Sequence, residues 1–435
     1  MGEFPNLQAL FSAQYRPVFV NAELTVKIAL DCFGFKGKPL GLSLNRAVSA
    51  VFVTLLAGGA SAQARFSPPP AQVVVPQSVF AAAGGAELRA AERAWRANPR
   101  DEATALRYAR AVFVLGLSEG DLRWYGAAKA AIQPWWDAPR LSAEGHYLRA
   151  LVRQGFHDFA GGLRDLDAAI ALDPAPAEYW SWRFSLHLLT TQLDRARADC
   201  AAITQRLGAD EGSACEATLA YRTGRAAEAV PRWARLVALP DYQGGLTQDW
   251  LRYHQGMTLA AAGRVDEALA VWRAHLQRRP RAHLVRLSLA EWLNATGRAA
   301  EALAVSTVDA LPSDSLLVQA LIAARALGDP RAATWQAQIA QRLDASDRRG
   351  DTLIERSQLM FLIRAGHDVA RGLALAEASW AEQQEPADAV LLAEAALSLK
   401  RPQAGRPVLE WMRATGYTDP LLAPLAERLR AGSGS

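Results

Sequence analysis

The sequence predicts an all-α solenoid, a stack of antiparallel helix pairs, and three observations carry that prediction. Of the 435 residues 51% are apolar and 21% charged, enough for a long continuous core. Alanine and leucine dominate while runs of valine, isoleucine and threonine are scarce, which favours helix over strand. From Ala86 onward the pattern helix, glycine turn, helix, proline or aspartate break returns with a period of about 34 residues.

Residues 1–45 carry no such pattern. Two readings stand for them, an overlong translation start or a genuine N-terminal extension; under the first, Cys32 is absent from the functional protein. Arg46, the apolar run Ala47 to Ala57 and the small-residue end Ala60-Ser61-Ala62-Gln63-Ala64 together make a secretory signal over 46–62. Cleavage is expected after Ala62, with Ala64 as the second choice. The run is too short to span a bilayer, which takes about 20 apolar residues, and no cysteine follows it to take a lipid. Residues 63–85, with Phe66-Ser67-Pro68-Pro69-Pro70 and Val73-Val74-Val75-Pro76, read as a proline-rich linker or as an extended arm docked on the first repeats.

A degenerate first unit spans Asp101 to Trp136, and the clearest runs from Ala143 to Pro174. Further starts fall near Ala177, Asp210, Asp249, Asp314, Thr352 and Ala387, with one more unit after Pro280. Their turns are marked by Gly224-Arg225, Gly263-Arg264, Gly297-Arg298, Gly328-Asp329 and Gly366-His367. A two-helix unit cannot bury its apolar face alone, so units must stack. Glycine at the turn accepts a left-handed backbone, and proline after the second helix stops it. Pro420 to Arg430 reads as a capping helix, and 431–435 as a disordered tail.

The unit from Ala143, with Ala150 in its first helix, Phe159 opening the second, Gly162 and Ala169 at the crossing and Pro174 as the stop, closely resembles a tetratricopeptide repeat. The resemblance covers roughly residues 86–420, and with the capping helix the solenoid is expected over 86–430. It implies a right-handed superhelix of about eight or nine repeats, in which first-helix side chains line a concave groove. On that phasing Tyr147, Leu151, Trp182, Trp250, Tyr253, Met257, Leu287, Glu291 and Asn294 point into the groove. The competing reading places the aromatic residues in the seams between helices. A groove edged by tryptophan, tyrosine and a few polar groups suits a partner helix or extended peptide.

Cys200 falls in the second helix of one unit and Cys215 in the first helix of the next, with Leu207-Gly208-Ala209-Asp210 midway between. Antiparallel helices joined there carry both thiols at nearly equal height. In an oxidising compartment they are expected to join, closing a loop of about 15 residues that contributes about 3 kcal/mol. The alternative is two buried thiols that never meet. The pair is not C-x-x-C, which argues against redox chemistry.

Catalytic and metal-binding patterns are absent from the sequence. The histidines at 146, 157, 187, 254, 275, 283 and 367 are scattered over separate units, with no H-E-x-x-H, no zinc spacing, no G-x-S-x-G and no phosphate loop. His157 and His367 fall at turns between helices. The net charge of +4 comes from arginines alternating with carboxylates, a solvated helical surface rather than a nucleic-acid stripe. The expected function is therefore an exported scaffold in the bacterial envelope that binds a protein partner, with no catalytic residue, cofactor or metal. Two other classes remain open: an enzyme built on a helical superhelix, and a periplasmic sensor of a small molecule or glycan.

Overall fold

The computed structural model describes residues 85–119, 123–242, 245–308, 313–349 and 354–433. The N-terminal extension, the signal sequence with Ala62 and Ala64, the linker up to residue 84, Pro312, Thr352 and the last two residues lie outside the described residues.

The twenty described α-helices form nine consecutive pairs between a leading and a closing helix. Helix α1 spans Gly85–Ala97. The first pair is α2 (Glu102–Glu119) and α3 (Arg123–Ile132), the second α4 (Ala143–Gly155) and α5 (Phe159–Leu172), and the third α6 (Ala177–Leu189) and α7 (Leu193–Leu207). The fourth to sixth are α8 (Ala209–Arg222) with α9 (Ala226–Leu236), α10 (Gly245–Ala261) with α11 (Val265–Arg278), and α12 (His283–Ala295) with α13 (Ala299–Ser306). The last three are α14 (Asp314–Leu327) with α15 (Arg331–Arg349), α16 (Arg356–Ile363) with α17 (Val369–Glu382), and α18 (Pro386–Ser398) with α19 (Arg406–Thr415). Helix α20 (Leu422–Ser433) closes the array. The expected starts at Ala143, Ala177 and Asp314 coincide with helix starts, and no described residue lies in a strand.

Local chemistry sets these boundaries. Ser142 caps α4 by accepting the Gly145 N–H, Asp158 caps α5 by accepting that of Gly161, Ser313 caps α14 through Leu316, and Asp368 caps α17 through Arg371. Between the two helices of each of the second to ninth pairs one residue takes a left-handed backbone. It is glycine at 224, 263, 297, 328 and 366, but His157, Thr191 and Lys400 in the second, third and ninth pairs.

Close approach relies on glycine inside helices as well. A side chain at Gly162 would press on Leu186 and the Ala150 carbonyl, and a Cβ at Gly256 would lie 2.1 Å from the Trp272 indole. That ring is fully buried and donates from Nε1 to the Arg252 carbonyl at 3.1 Å.

The first helices of successive pairs pack against one another along the whole array, far more than the second helices do. A stack that is tighter on one side curves toward it, so the first helices form the inner face. The expected disulfide is formed: Cys200 of α7 and Cys215 of α8 are bonded, their Cα atoms 5.5 Å apart and both side chains buried.

The tail boundary at residue 431 is corrected. Helix α20 continues through Ala431 and Gly432 to Ser433, because Leu429 is buried and Gly432 rests on Pro402.

The array also returns on itself. Tyr221 and Ala226 of the fourth pair belong to the same buried apolar cluster as residues from Leu317 to Leu429. The Gln384 N–H donates to the Leu189 carbonyl at 2.9 Å. The turns of the second, third and fourth pairs thus abut the segment before α18 and the end of α19.

Candidate functional site

The inner face carries a polar network that crosses pair boundaries. Arg110 of α2 donates from Nε to Glu144 Oε1 of α4 at 3.0 Å and from Nη2 to Glu178 Oε1 of α6 at 2.9 Å. One guanidinium thereby ties three successive first helices, and it also sits over the Tyr147 ring, 5.3 Å from its centroid. Burial works against its charge, but Glu178, Tyr147 and Glu144 outweigh that and hold Arg110 above its usual pKa. All three charged groups stay half-exposed.

Further along, Asn294 of α12 donates to the Gln319 carbonyl at 3.0 Å and to its side-chain oxygen at 2.8 Å, and Gln319 donates to Met360 Sδ of α16 at 3.0 Å. Arg364, directly after α16, donates to Glu394 of α18 at 2.8 Å. Burial opposes the Arg364 charge, whereas Glu394 and then Glu291 sustain it.

Five of the nine expected groove residues are corrected to seam residues. Tyr147, Leu151, Trp182, Trp250 and Tyr253 are all buried. The rings of Tyr147 and Trp182 face a neighbouring first helix, whereas Trp250 meets Trp233 of the preceding second helix, α9, edge-on at 5.5 Å. Tyr147 lies against Tyr179 (centroids 4.7 Å apart), and Trp182 meets Phe113 edge-on at 5.8 Å. Trp250 and Tyr253 enclose His254 at 4.2 and 4.9 Å, with Trp233 stacked on it at 5.3 Å. The other four, Met257, Leu287, Glu291 and Asn294, are half-buried.

Three buried carboxylates, each held between an imidazole and a guanidinium, were not anticipated. Asp165 of α5 takes His146 Nδ1 at 2.8 Å and Arg149 Nη2 at 2.6 Å, both from α4. Asp199 of α7 takes His187 Nδ1 at 2.8 Å and Arg183 Nη2 at 2.6 Å, both from α6. In the fifth pair the polarity reverses: Asp249 on α10 takes His275 Nε2 at 2.7 Å and Arg279 Nη2 at 2.8 Å from α11. Arg149 and Arg183, and likewise Asp165 and Asp199, are separated by one repeat length. That shared spacing is the signal by which the sequence could have revealed them. With no nucleophile among their partners, these groups staple the helices of a pair; each satisfied charge offsets the cost of burying it.

His254 is buried and neither ring nitrogen meets a protein partner. Burial, and secondarily the charge of Arg222, push its pKa down to about 3, so it sits as a neutral ring among aromatic neighbours. Among the described residues no three His, Cys, Asp or Glu side chains are grouped to hold a metal ion. No described helix is long and apolar enough to cross a membrane.

Paired helices, left-handed turns at one repeated position, a regular repeat spacing and curvature toward the first helices together define the architecture. It is an α-solenoid of stacked antiparallel helix pairs. Solved structures resemble it at low identity. PilW, described as a widely conserved type IV pilus biogenesis factor, is 19% identical over 48% of this chain and 96% of its own, with a TM-score of 0.38. A tetratricopeptide repeat protein from Parabacteroides merdae is 13% identical over 67% of this chain and 99% of its own, with a TM-score of 0.31. The Cut9-Hcn1 hetero-tetramer of the APC/C is 12% identical over 80% of this chain and 86% of its own, with a TM-score of 0.28. No protein-family profile and no curated protein sequence matches the chain.

Proposed function

We propose that this chain is an exported interaction scaffold that takes a segment of a partner protein against the inner face of its coil. The observation that supports this most is the inner face itself. Partly exposed charged side chains on or directly after successive first helices, Arg110 with Glu144 and Glu178 and Arg364 with Glu394, are held by one another across pair boundaries. A peptide or helix laid across the first helices finds donors and acceptors whose rotamers are already restricted, which lowers the entropy cost of binding. The guanidinium groups are paired with carboxylates, which suits a polypeptide carrying both charges better than a polyanion.

Export to the bacterial envelope is supported by the signal-like sequence ending at Ala62 and by the Cys200–Cys215 bond, since such bonds persist in oxidising compartments. A scaffolding role also agrees with an array of helix pairs that runs through the described residues from Gly85 to Ser433.

The test is site-specific photo-cross-linking in envelope extract, with the reactive group placed at Leu287 on the inner face and, as the control, at exposed Arg232 on α9. One discrete cross-linked protein from position 287 and none from 232 is the expected result. The same products from both positions, or none from either, overturn the reading.

A further inference from the structure

Three successive inter-helix turns place their left-handed residues, His157, Thr191 and Gly224, against the C-terminal pairs. His157 and Thr191 are one repeat length apart, and Thr191 and Gly224 one position less, so they are the same repeat position taken three times. His157 Nδ1 lies 3.3 Å from Glu382 Oε2, and Thr191 Oγ1 donates to Gln384 Oε1 at 2.6 Å. At the third turn the contact is backbone on backbone: a Cβ on Gly224 would lie 2.0 Å from the Gly416 carbonyl oxygen.

Beside that turn, Arg222 donates from Nη1 to Glu385 Oε1 at 2.7 Å and from Nη2 to the Gln384 carbonyl at 2.8 Å. Both charged side chains are almost fully buried, at 3% and 2% exposure. Burial alone would weaken the Arg222 charge, and Glu385 overrides it.

Elsewhere in the array successive helices are joined mainly through leucine, alanine and aromatic rings. At this seam Tyr221 and Ala226 join the C-terminal apolar cluster, with Tyr221 edge-on to Tyr417 at 5.7 Å, and the polar groups above are added beside that contact; Thr191, a β-branched residue, holds a backbone angle such residues rarely adopt. Polar contacts between parts that each own a core are typical of interfaces that open without unfolding, and retained strain marks places where a structure switches.

We propose that this seam is a latch: the Arg222–Glu385 pair holds the coil closed on itself, and releasing it lets the coil extend with its helix pairs intact, changing the curvature offered to a partner. The last clause rests on the inner-face reading above; the latch itself does not.

The test therefore uses no partner. Small-angle scattering and far-ultraviolet circular dichroism are recorded on the full chain carrying Arg222→Glu, Glu385→Arg, or both, and on Gly224→Asn. The last keeps a left-handed turn but drives a side chain into the Gly416 carbonyl. Each single charge reversal and Gly224→Asn should enlarge the radius of gyration at unchanged helix content, and the double reversal should restore the parent value. An unchanged radius in the single reversals overturns the latch. So does loss of helix in Gly224→Asn, because the seam would then be part of the cooperative core. If the latch fails by either route, a partner can still cross-link from Leu287; if only the cross-linking fails, the latch stands and the binding reading falls.

Discussion

The Thr191 hydroxyl donates to Gln384 Oε1 at 2.6 Å across 193 residues of chain, from a backbone held at φ 55°. Lys400 has the same φ of 55° at the equivalent turn of the ninth pair, but its side chain is exposed and makes no such bond. The two residues separate the cost of the left-handed turn from the value of the seam contact. Lys400→Gly should raise unfolding stability by about 0.5–1 kcal/mol through relief of the turn. Thr191→Gly gains the same relief and forfeits a hydrogen bond of about 1 kcal/mol, so it should be neutral or destabilising. Urea unfolding of both variants checks this; equal gains at both sites contradict a contribution from the seam.

Gly256 lies where the Trp272 indole crosses α10. Gly256→Ala would set a methyl 2.1 Å from the ring carbon Cε2, and the ring is buried with its N–H committed to the Arg252 carbonyl. Overpacking of this kind costs about 1–3 kcal/mol. Since Gly-to-Ala in an open helix position gains stability, a stabilised variant in chemical denaturation would show that the ring does not sit there.

The repeat lattice was legible because its punctuation is local. Turn glycines, proline stops and small crossing residues act within one unit, and the predicted starts at Ala143, Ala177 and Asp314 coincide with helix starts. Trp182 and Trp250 are buried, since periodicity assigns a residue to a helix face but not the closeness of the neighbouring helices, which decides whether that face is groove or seam. The seam was not legible. Arg222 and Glu385 are 163 residues apart, and nothing in either unit distinguishes them from ordinary surface charges until curvature brings them together.

The Cys200–Cys215 bond closes a 15-residue separation between α7 and α8. Replacing both cysteines with alanine should lower unfolding stability by about 3 kcal/mol by the chain-entropy estimate. Comparing urea midpoints of the oxidised parent and the double variant reads this directly, and midpoints that coincide would remove the bond from the account of stability.

His254 gives the protein an acid sensitivity with a known sign. Its folded pKa is pushed down to about 3 by burial and by Arg222, against an ordinary value of 6.5, so between these values the unfolded chain binds more protons. Stability must therefore fall as pH drops below 6.5, by about 2 kcal/mol at pH 5 from this residue alone. His157, pushed down to about 4 by burial, adds to the loss but is common to parent and variant. The stability difference between parent and His254→Phe should shift by about 2 kcal/mol in favour of the variant between pH 7.5 and pH 5. A difference independent of pH would mean that the imidazole is not held neutral.

Closure of the coil on itself is tested most directly by a double-mutant cycle on Arg222→Ala and Glu385→Ala, read as unfolding free energies at neutral pH. Breaking a buried ion pair leaves an uncompensated charge, so each single change should cost about 3–5 kcal/mol, and the second change should cost far less once the first is made. The account predicts a coupling of about 2 kcal/mol or more between two residues 163 positions apart. Additivity within about 0.5 kcal/mol would place the two side chains out of contact and leave the coil open.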